Sequence, residues 1–204
     1  MNTTSTENLT IPYQSKFQIL PRPTNMFDRI AFYGPMGSGK TWNANYLAEK
    51  KNYQRYSLAN ELKLICRDLF GVKDKSDRSR RILQEVGMDM RKHDKDVWLK
   101  FLLNQIKEDG NRKVVVDDLR FLNEADWFVQ NGFVLILVTC DERIRKDRLL
   151  RLYPDMDLSR MGHASEQEWI EIRPDYVVDS TNGDTDVQID WILQDVKSRA
   201  RWEE

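Results

Sequence analysis

The sequence predicts an α/β fold in three layers, with helices on both faces of a central, mainly parallel five-stranded sheet. Three observations carry this expectation. Short apolar runs alternate with helical patterns along most of the chain. The runs 114–116 and 133–138 are apolar throughout, as strands buried on both faces are, and a glycine-rich turn joins the first run to the first helical pattern. Parallel neighbours need crossovers, which the intervening helices supply.

Residues 1–25 are rich in Ser, Thr, Asn and Pro, so they are expected to form a loosely packed or disordered arm, with 26–204 as a single domain. The apolar run 30–33 reads as a strand and 42–51 as a helix, on one face of which Ala44, Leu47 and Ala48 fall together. A brief strand follows over 53–56. Helical spacing recurs over 58–70, closed by Gly71, then over 79–90 and over 94–106, before the Asp-Gly-Asn at 109–111. After the strand 114–116 come a helix over 122–130, the strand 133–138, a helix over 142–152, a short strand 176–178 and a last helix over 187–199. Trp42, Trp98 and Trp127 are expected in the core, although each could stack on a base.

The chain has 204 residues, enough for one domain with a full core. Charged residues make up 32%, but acids and bases nearly cancel to a net charge of -1, so no overall field favours nucleic acid or anionic lipid. Neither is expected as a partner. Cys66 and Cys140 lie far apart, which argues against a disulfide framework or a short-spaced zinc site and for buried thiols. The first residues lack a signal-peptide pattern, and no apolar run approaches the roughly 20 residues of a membrane span, so a soluble, cytoplasmic protein is expected.

Gly34-Pro35-Met36-Gly37-Ser38-Gly39-Lys40-Thr41 satisfies the pattern of glycine, four residues, glycine, lysine, then serine or threonine, between a predicted strand and a helix. Glycines let main-chain N–H groups curl around phosphate oxygens, and the helix N-terminus adds its positive dipole end. Lys40 suits the β and γ phosphates of ATP, and the Thr41 hydroxyl suits Mg²⁺. The loop alone separates neither kinase nor switch nor motor, yet the Asn-Lys-x-Asp segment of guanine-specific switches does not occur.

Arginines form two groups: Arg78, Arg80, Arg81 and Arg91, then Arg143, Arg145, Arg148 and Arg151. Phosphoryl transfer between two anions needs such charge; Arg145, Arg148 and Arg151 are spaced to share a helix face and aim at polyphosphate, with a solvated face as the plain alternative. Asp117 and Asp118 end the second long apolar strand, where open parallel sheets border their ligand crevice. Asp117 is assigned with Thr41 to the metal and Asp118 to the reaction, although either acid can serve the metal and one can instead cap a helix or turn. Arg120 stands next to them to grip an acceptor.

At these residues the chain resembles the bacteriophage deoxynucleoside monophosphate kinases, a branch of the P-loop nucleotide kinases that is similar also to dephospho-coenzyme A kinase. The resemblance runs from Ile30 to about Gly183 and rests on the loop, on Leu58-Ala59-Asn60-Glu61-Leu62-Lys63, on Ile82-Leu83-Gln84-Glu85-Val86-Gly87 with Arg91, Asp94 and Trp98, on Asp118-Leu119-Arg120-Phe121-Leu122-Asn123-Glu124-Ala125, and on His163-Ala164-Ser165-Glu166. It implies a P-loop NTPase fold and ATP-dependent phosphorylation of deoxynucleoside 5'-monophosphates to diphosphates with Mg²⁺. Acceptor-binding helices would span about 57–108 and a lid about 143–166. Lys63, Arg91, Asp118, Arg120, His163 and Glu166 would face the acceptor, and Lys40, Asp118, Arg120, Arg145 and Arg148 would act in catalysis.

His163 has an equal reading as a turn residue, and Asn182-Gly183 as an ordinary turn or the adenine edge. The chain departs from the pattern at Asn60, where relatives often carry an acid, and at Met88, where they often carry Thr. A general base at 60 is thereby excluded. Small-molecule nucleotides are the expected partners, a homodimer stays open, and a phage source would place the protein in the host cytoplasm. Another small-molecule P-loop kinase and a non-catalytic ATP-binding switch remain the alternatives.

Overall fold

A computed structural model describes residues 28–73, 76–154, 157–158, 161 and 168–199. Strands β1 (Arg29–Tyr33), β2 (Gln54–Tyr56), β3 (Val114–Val116), β4 (Val134–Thr139) and β5 (Tyr176–Asp179) form one sheet in the order β2-β3-β1-β4-β5. Every pairing is parallel; Ala31, for example, stands opposite Val116 on one side and Leu135 on the other. β1 lies at the centre between β3 and β4; the chain runs from β1 out to the edge strand β2, returns to β3 and then crosses to β4 on the other flank. The carboxyl end of β1 is therefore the topological switch point, where such sheets open a ligand crevice.

Alternation along β1 sorts its side chains onto two faces. Ile30 and Phe32 pack with Ala44 and Leu47 of α1 (Lys40–Lys51) and with Ile189 and Ile192 of α7 (Thr185–Arg199). Ala31 and Tyr33 pack with Leu62 and Cys66 of α2 (Asn60–Phe70), Trp98, Leu99 and Leu102 of α4 (Val97–Asp109), and Trp127 and Phe128 of α5 (Leu122–Gln130). Each such large side chain, fully buried, contributes about 1.5–3 kcal/mol by leaving water. Helix α3 (Asp77–His93) packs on α2, and α6 (Glu142–Leu152) follows β4. The five strands and their helices fall where the sequence placed them, and the sheet is wholly parallel.

Several boundaries moved for identifiable reasons. The helix expected from 58 starts at Asn60, because the Asp118 carboxylate captures the Leu58 and Ala59 N–H groups at 2.8 and 2.9 Å. The helix expected from 94 starts at Val97, because Asp94 ends α3 and its carboxylate accepts from the Asp96 N–H. Trp98 and Trp127 are buried as expected, whereas Trp42 is 71% exposed on α1, so its core reading is corrected. Cys66 is buried and Cys140 only half-buried. The arm at 1–25 lies outside the described residues, as does most of 153–166 in the expected lid.

Candidate active site

The loop from Gly34 to Gly39 turns directly off β1. Gly34 has φ +127°, and a Cβ there would sit 2.4 Å from the Val138 carbonyl oxygen, so the turn passes too close to β4 for any side chain. Gly37, at φ +81°, lies under α6 with a little more room: a Cβ would meet the Arg145 carbonyl oxygen and Leu149 Cγ, each at 3.1 Å. Helix α1 begins without a side-chain cap and with no acid in its first turn. Its leading N–H groups and dipole are thus left to an anion. Lys40 Nζ donates to the Gly34 and Pro35 carbonyls at 2.7 and 2.9 Å, which curls the ammonium group back over the loop.

Asp117 and Asp118, adjacent at the end of β3, turn to opposite sides. Asp117, 4% exposed, accepts at Oδ2 from Thr41 Oγ1 (2.6 Å) and from Arg55 Nη2 (2.8 Å). Its Oδ1 is buried and accepts nothing among the described residues. Asp118 accepts from Ser57 Oγ at 2.6 Å and from the Leu58 and Ala59 N–H groups, so its carboxylate fastens the entry to α2. A buried carboxylate oxygen lacking a donor, next to a threonine hydroxyl and a phosphate loop, fits a hydrated Mg²⁺. Asp117 offers that oxygen; the carboxylate of Asp118 is occupied by three donors.

In the first turn of α5, Glu124 is 2% exposed and accepts from Arg91 Nη2 (2.8 Å) and from the Arg120 and Phe121 N–H groups (3.0 and 3.2 Å). Burial pushes the Glu124 carboxyl up from its ordinary value, against the pull of Arg91 and of the two N–H groups. The Arg91 guanidinium lies 4.4 Å from the centre of the Phe121 ring. Glu124 thus ties the Arg91 guanidinium to the main chain at Arg120 and Phe121. Lys63 lies exposed on α2. His163 and Glu166 lie outside the described residues.

The arginines of α6 do not act as one face. Arg145 donates to the Met36 carbonyl (3.2 Å), bracing the loop from above. Arg148 donates to Ser180 Oγ and O (2.9 and 2.7 Å) and to Cys140 Sγ (3.3 Å), and Ser180 Oγ donates in turn to the Ser38 carbonyl at 2.6 Å. Arg151 is exposed. The first arginine group is dispersed as well: Arg80 lies over the Tyr153 ring and Arg91 on Glu124. Sequence reasoning missed Arg55 altogether and gave Glu124 no role, although Glu124 stands inside the segment that carries the resemblance.

A family model described as an AAA domain matches residues 30–171 of the 204. The chain belongs to this AAA-domain family. A protein of Acanthamoeba polyphaga mimivirus named "Putative deoxynucleotide monophosphate kinase" is 29% identical, over 53% of this chain and 72% of its own length. The crystal structure of TT1252 from Thermus thermophilus matches 86% of this chain and 99% of its own at 18% identity, with a TM-score of 0.56. Shikimate kinase from Acinetobacter baumannii in complex with shikimate matches 87% and 94% at 16% identity, with a TM-score of 0.50. These structures share the fold. The family model and these structures agree with the α/β fold built around the loop. No described helix is long and apolar enough to cross a membrane.

Proposed function

We propose that this AAA-domain protein transfers the γ-phosphoryl group of ATP to a deoxynucleoside 5'-monophosphate. The bond between the γ phosphorus and the bridging oxygen of ADP breaks as one from an acceptor phosphate oxygen forms. The observation that carries the reading is the division of the crevice at the end of β1. On one side are the loop, Lys40 and the Thr41–Asp117 pair. Arg91 and Arg120 are assigned to the other, where Glu124 accepts from the Arg91 guanidinium and from the Arg120 main-chain N–H. Two anions can be held face to face between them, which is what this chemistry demands.

Gly34 to Thr41 are assigned to the triphosphate, with Lys40 on its terminal phosphates. Thr41 and Asp117 would hold Mg²⁺, which would supply charge neutralisation to the triphosphate. Arg145 and Arg148 hold the shape of the loop and add charge beside it. Arg91, Arg120 and Lys63 are assigned to the acceptor, with α2, α3 and α4 as its walls. Asp118 serves by fixing the 57–59 turn at that wall. No general base is required at Asn60, because a phosphate acceptor is already ionised near neutral pH.

The name of the mimiviral relative supports a deoxynucleotide as acceptor. The test is an acceptor screen: the protein with ATP and Mg²⁺ is offered each deoxynucleoside monophosphate, the ribonucleotides, dephospho-coenzyme A and shikimate, and phosphorylated product is counted. Diphosphate from at least one deoxynucleotide, in preference to the other acceptors, is expected. Turnover of dephospho-coenzyme A or shikimate alone would reassign the acceptor, and slow hydrolysis indifferent to every acceptor would indicate a switch.

A further inference from the structure

Arg55 has no part in that assignment, yet it is bonded to its centre. It stands in the middle of the edge strand β2 and crosses toward the carboxyl end of the sheet. Its Nη2 lies 2.8 Å from Asp117 Oδ2, the same oxygen that receives the Thr41 hydroxyl, and its Nη1 donates to Asn45 Oδ1 on α1 at 2.9 Å. Two partners on different elements therefore fix the guanidinium in place. It remains 35% exposed while Asp117 is 4% exposed, so the carboxylate has a fixed cation on its outer side and an unpartnered oxygen, Oδ1, on the other.

We propose that Arg55 is a resident counter-ion of the metal site, which keeps Asp117 neutralised so that a divalent cation enters as its nucleotide complex and not alone. This rests on the reading of Thr41 and Asp117 as the metal pair. Beside the loop, the Arg55 guanidinium sits on the Asp117 carboxylate and offsets the pull that this acid would exert on a free dication. The several negative charges of a triphosphate restore that pull. Because Arg55 occupies Oδ2, the carboxylate also presents only Oδ1 toward an incoming hydrated ion. Ordered binding of this kind keeps the loop from filling with metal that brings no phosphate, and makes Arg55 a positioning residue that acts through Asp117.

The probe is Mn²⁺, followed by the loss of its free electron paramagnetic resonance signal, first without nucleotide and then with a nonhydrolysable ATP analogue. The variants are Arg55→Met, Arg55→Gln, which keeps hydrogen bonding without charge, and Arg55→Lys, which keeps the charge. Removing one unit of positive charge at this distance should raise nucleotide-free Mn²⁺ affinity at least about tenfold in the Met and Gln variants, with Lys near wild type. With the analogue present the change should stay under about threefold, since phosphate charges then dominate. General damage to the site would weaken binding under both conditions, and that result, or unchanged nucleotide-free affinity in Met and Gln alike, overturns the proposal. Asp117→Asn separates the two readings: wild-type Mn²⁺ affinity in that variant with the analogue would remove the metal from Asp117, whatever Arg55 does, while leaving the acceptor screen to judge the kinase assignment on its own.

Discussion

Arg91 of α3 and Glu124 of α5 form an ion pair 2.8 Å long whose carboxylate is 2% exposed. Removing one partner of such a pair strands the other in a place that water does not reach. Arg91→Ala should therefore lower unfolding stability by about 3 kcal/mol, since it strands the Glu124 carboxylate, and the loss of the ion pair in Glu124→Ala should cost less, because the Arg91 guanidinium left behind retains 20% exposure. Urea denaturation of both variants and of the double variant tests this. Simple additivity would show that the pair is not coupled.

Lys40 Nζ donates to the carbonyls of Gly34 and Pro35, both on the loop it serves. Lys40→Ala should cut turnover by about two orders of magnitude or more, as loss of a charge aimed at a transition state does, with the melting temperature nearly unchanged. Steady-state kinetics and a thermal melt on one preparation decide the matter. Near-normal turnover would place the chemistry elsewhere.

The two adjacent acids should respond differently to the same change. Asp117→Asn should strongly raise the Mg²⁺ concentration needed for half-maximal rate. Asp118→Asn loses a three-donor anchor at the start of α2, so it should cost about 1–2 kcal/mol of stability with little effect on the Mg²⁺ requirement. Mg²⁺ titrations and denaturation curves on both variants would exchange these roles if the assignment is reversed.

Alkali should unfold the protein over a definable interval. Tyr56 is 7% exposed; its hydroxyl donates to Asp109 Oδ2 and accepts from Asn111 Nδ2. Burial, opposed by the Asn111 bond and aided by Asp109, pushes its phenol up from 10.0 to about 12. Tyr33 and Tyr53 are pushed up by burial as well. A raised value in the fold means that the neutral form is preferred there, so the stabilisation is complete below pH 10.0 and is lost as pH climbs through about 12. Unfolding midpoints flat up to about pH 10 and falling beyond it are expected, and a Tyr56→Phe variant should blunt the fall.

The fold was legible because its signals are local: apolar runs, helical spacing and a loop whose glycines permit one kind of turn. The loop was legible for the same reason. The division of labour between Asp117 and Asp118 was not, since neighbours on an extended chain point to opposite sides and the sequence does not say which side holds α1. Arg55 left no signal: one arginine in a three-residue edge strand looks like solvated charge until α1 and β3 are placed around it. The arginines of α6 were spaced correctly for a common face, yet tertiary contacts sent Arg145 to Met36 and Arg148 to Ser180. Trp42 shows the converse, a large aromatic residue left outside because its position on α1 faces away from the sheet.

The chain of bonds from Arg148 through Ser180 to the Ser38 carbonyl spans 142 residues of sequence at its last step. A short peptide copied from the glycine-rich motif would thus lose its floor, and so would any fragment cut before β5. The cradle for phosphate is finished only when the final strand has docked, so during synthesis on the ribosome nucleotide affinity should emerge late and abruptly, as a report that the sheet is complete.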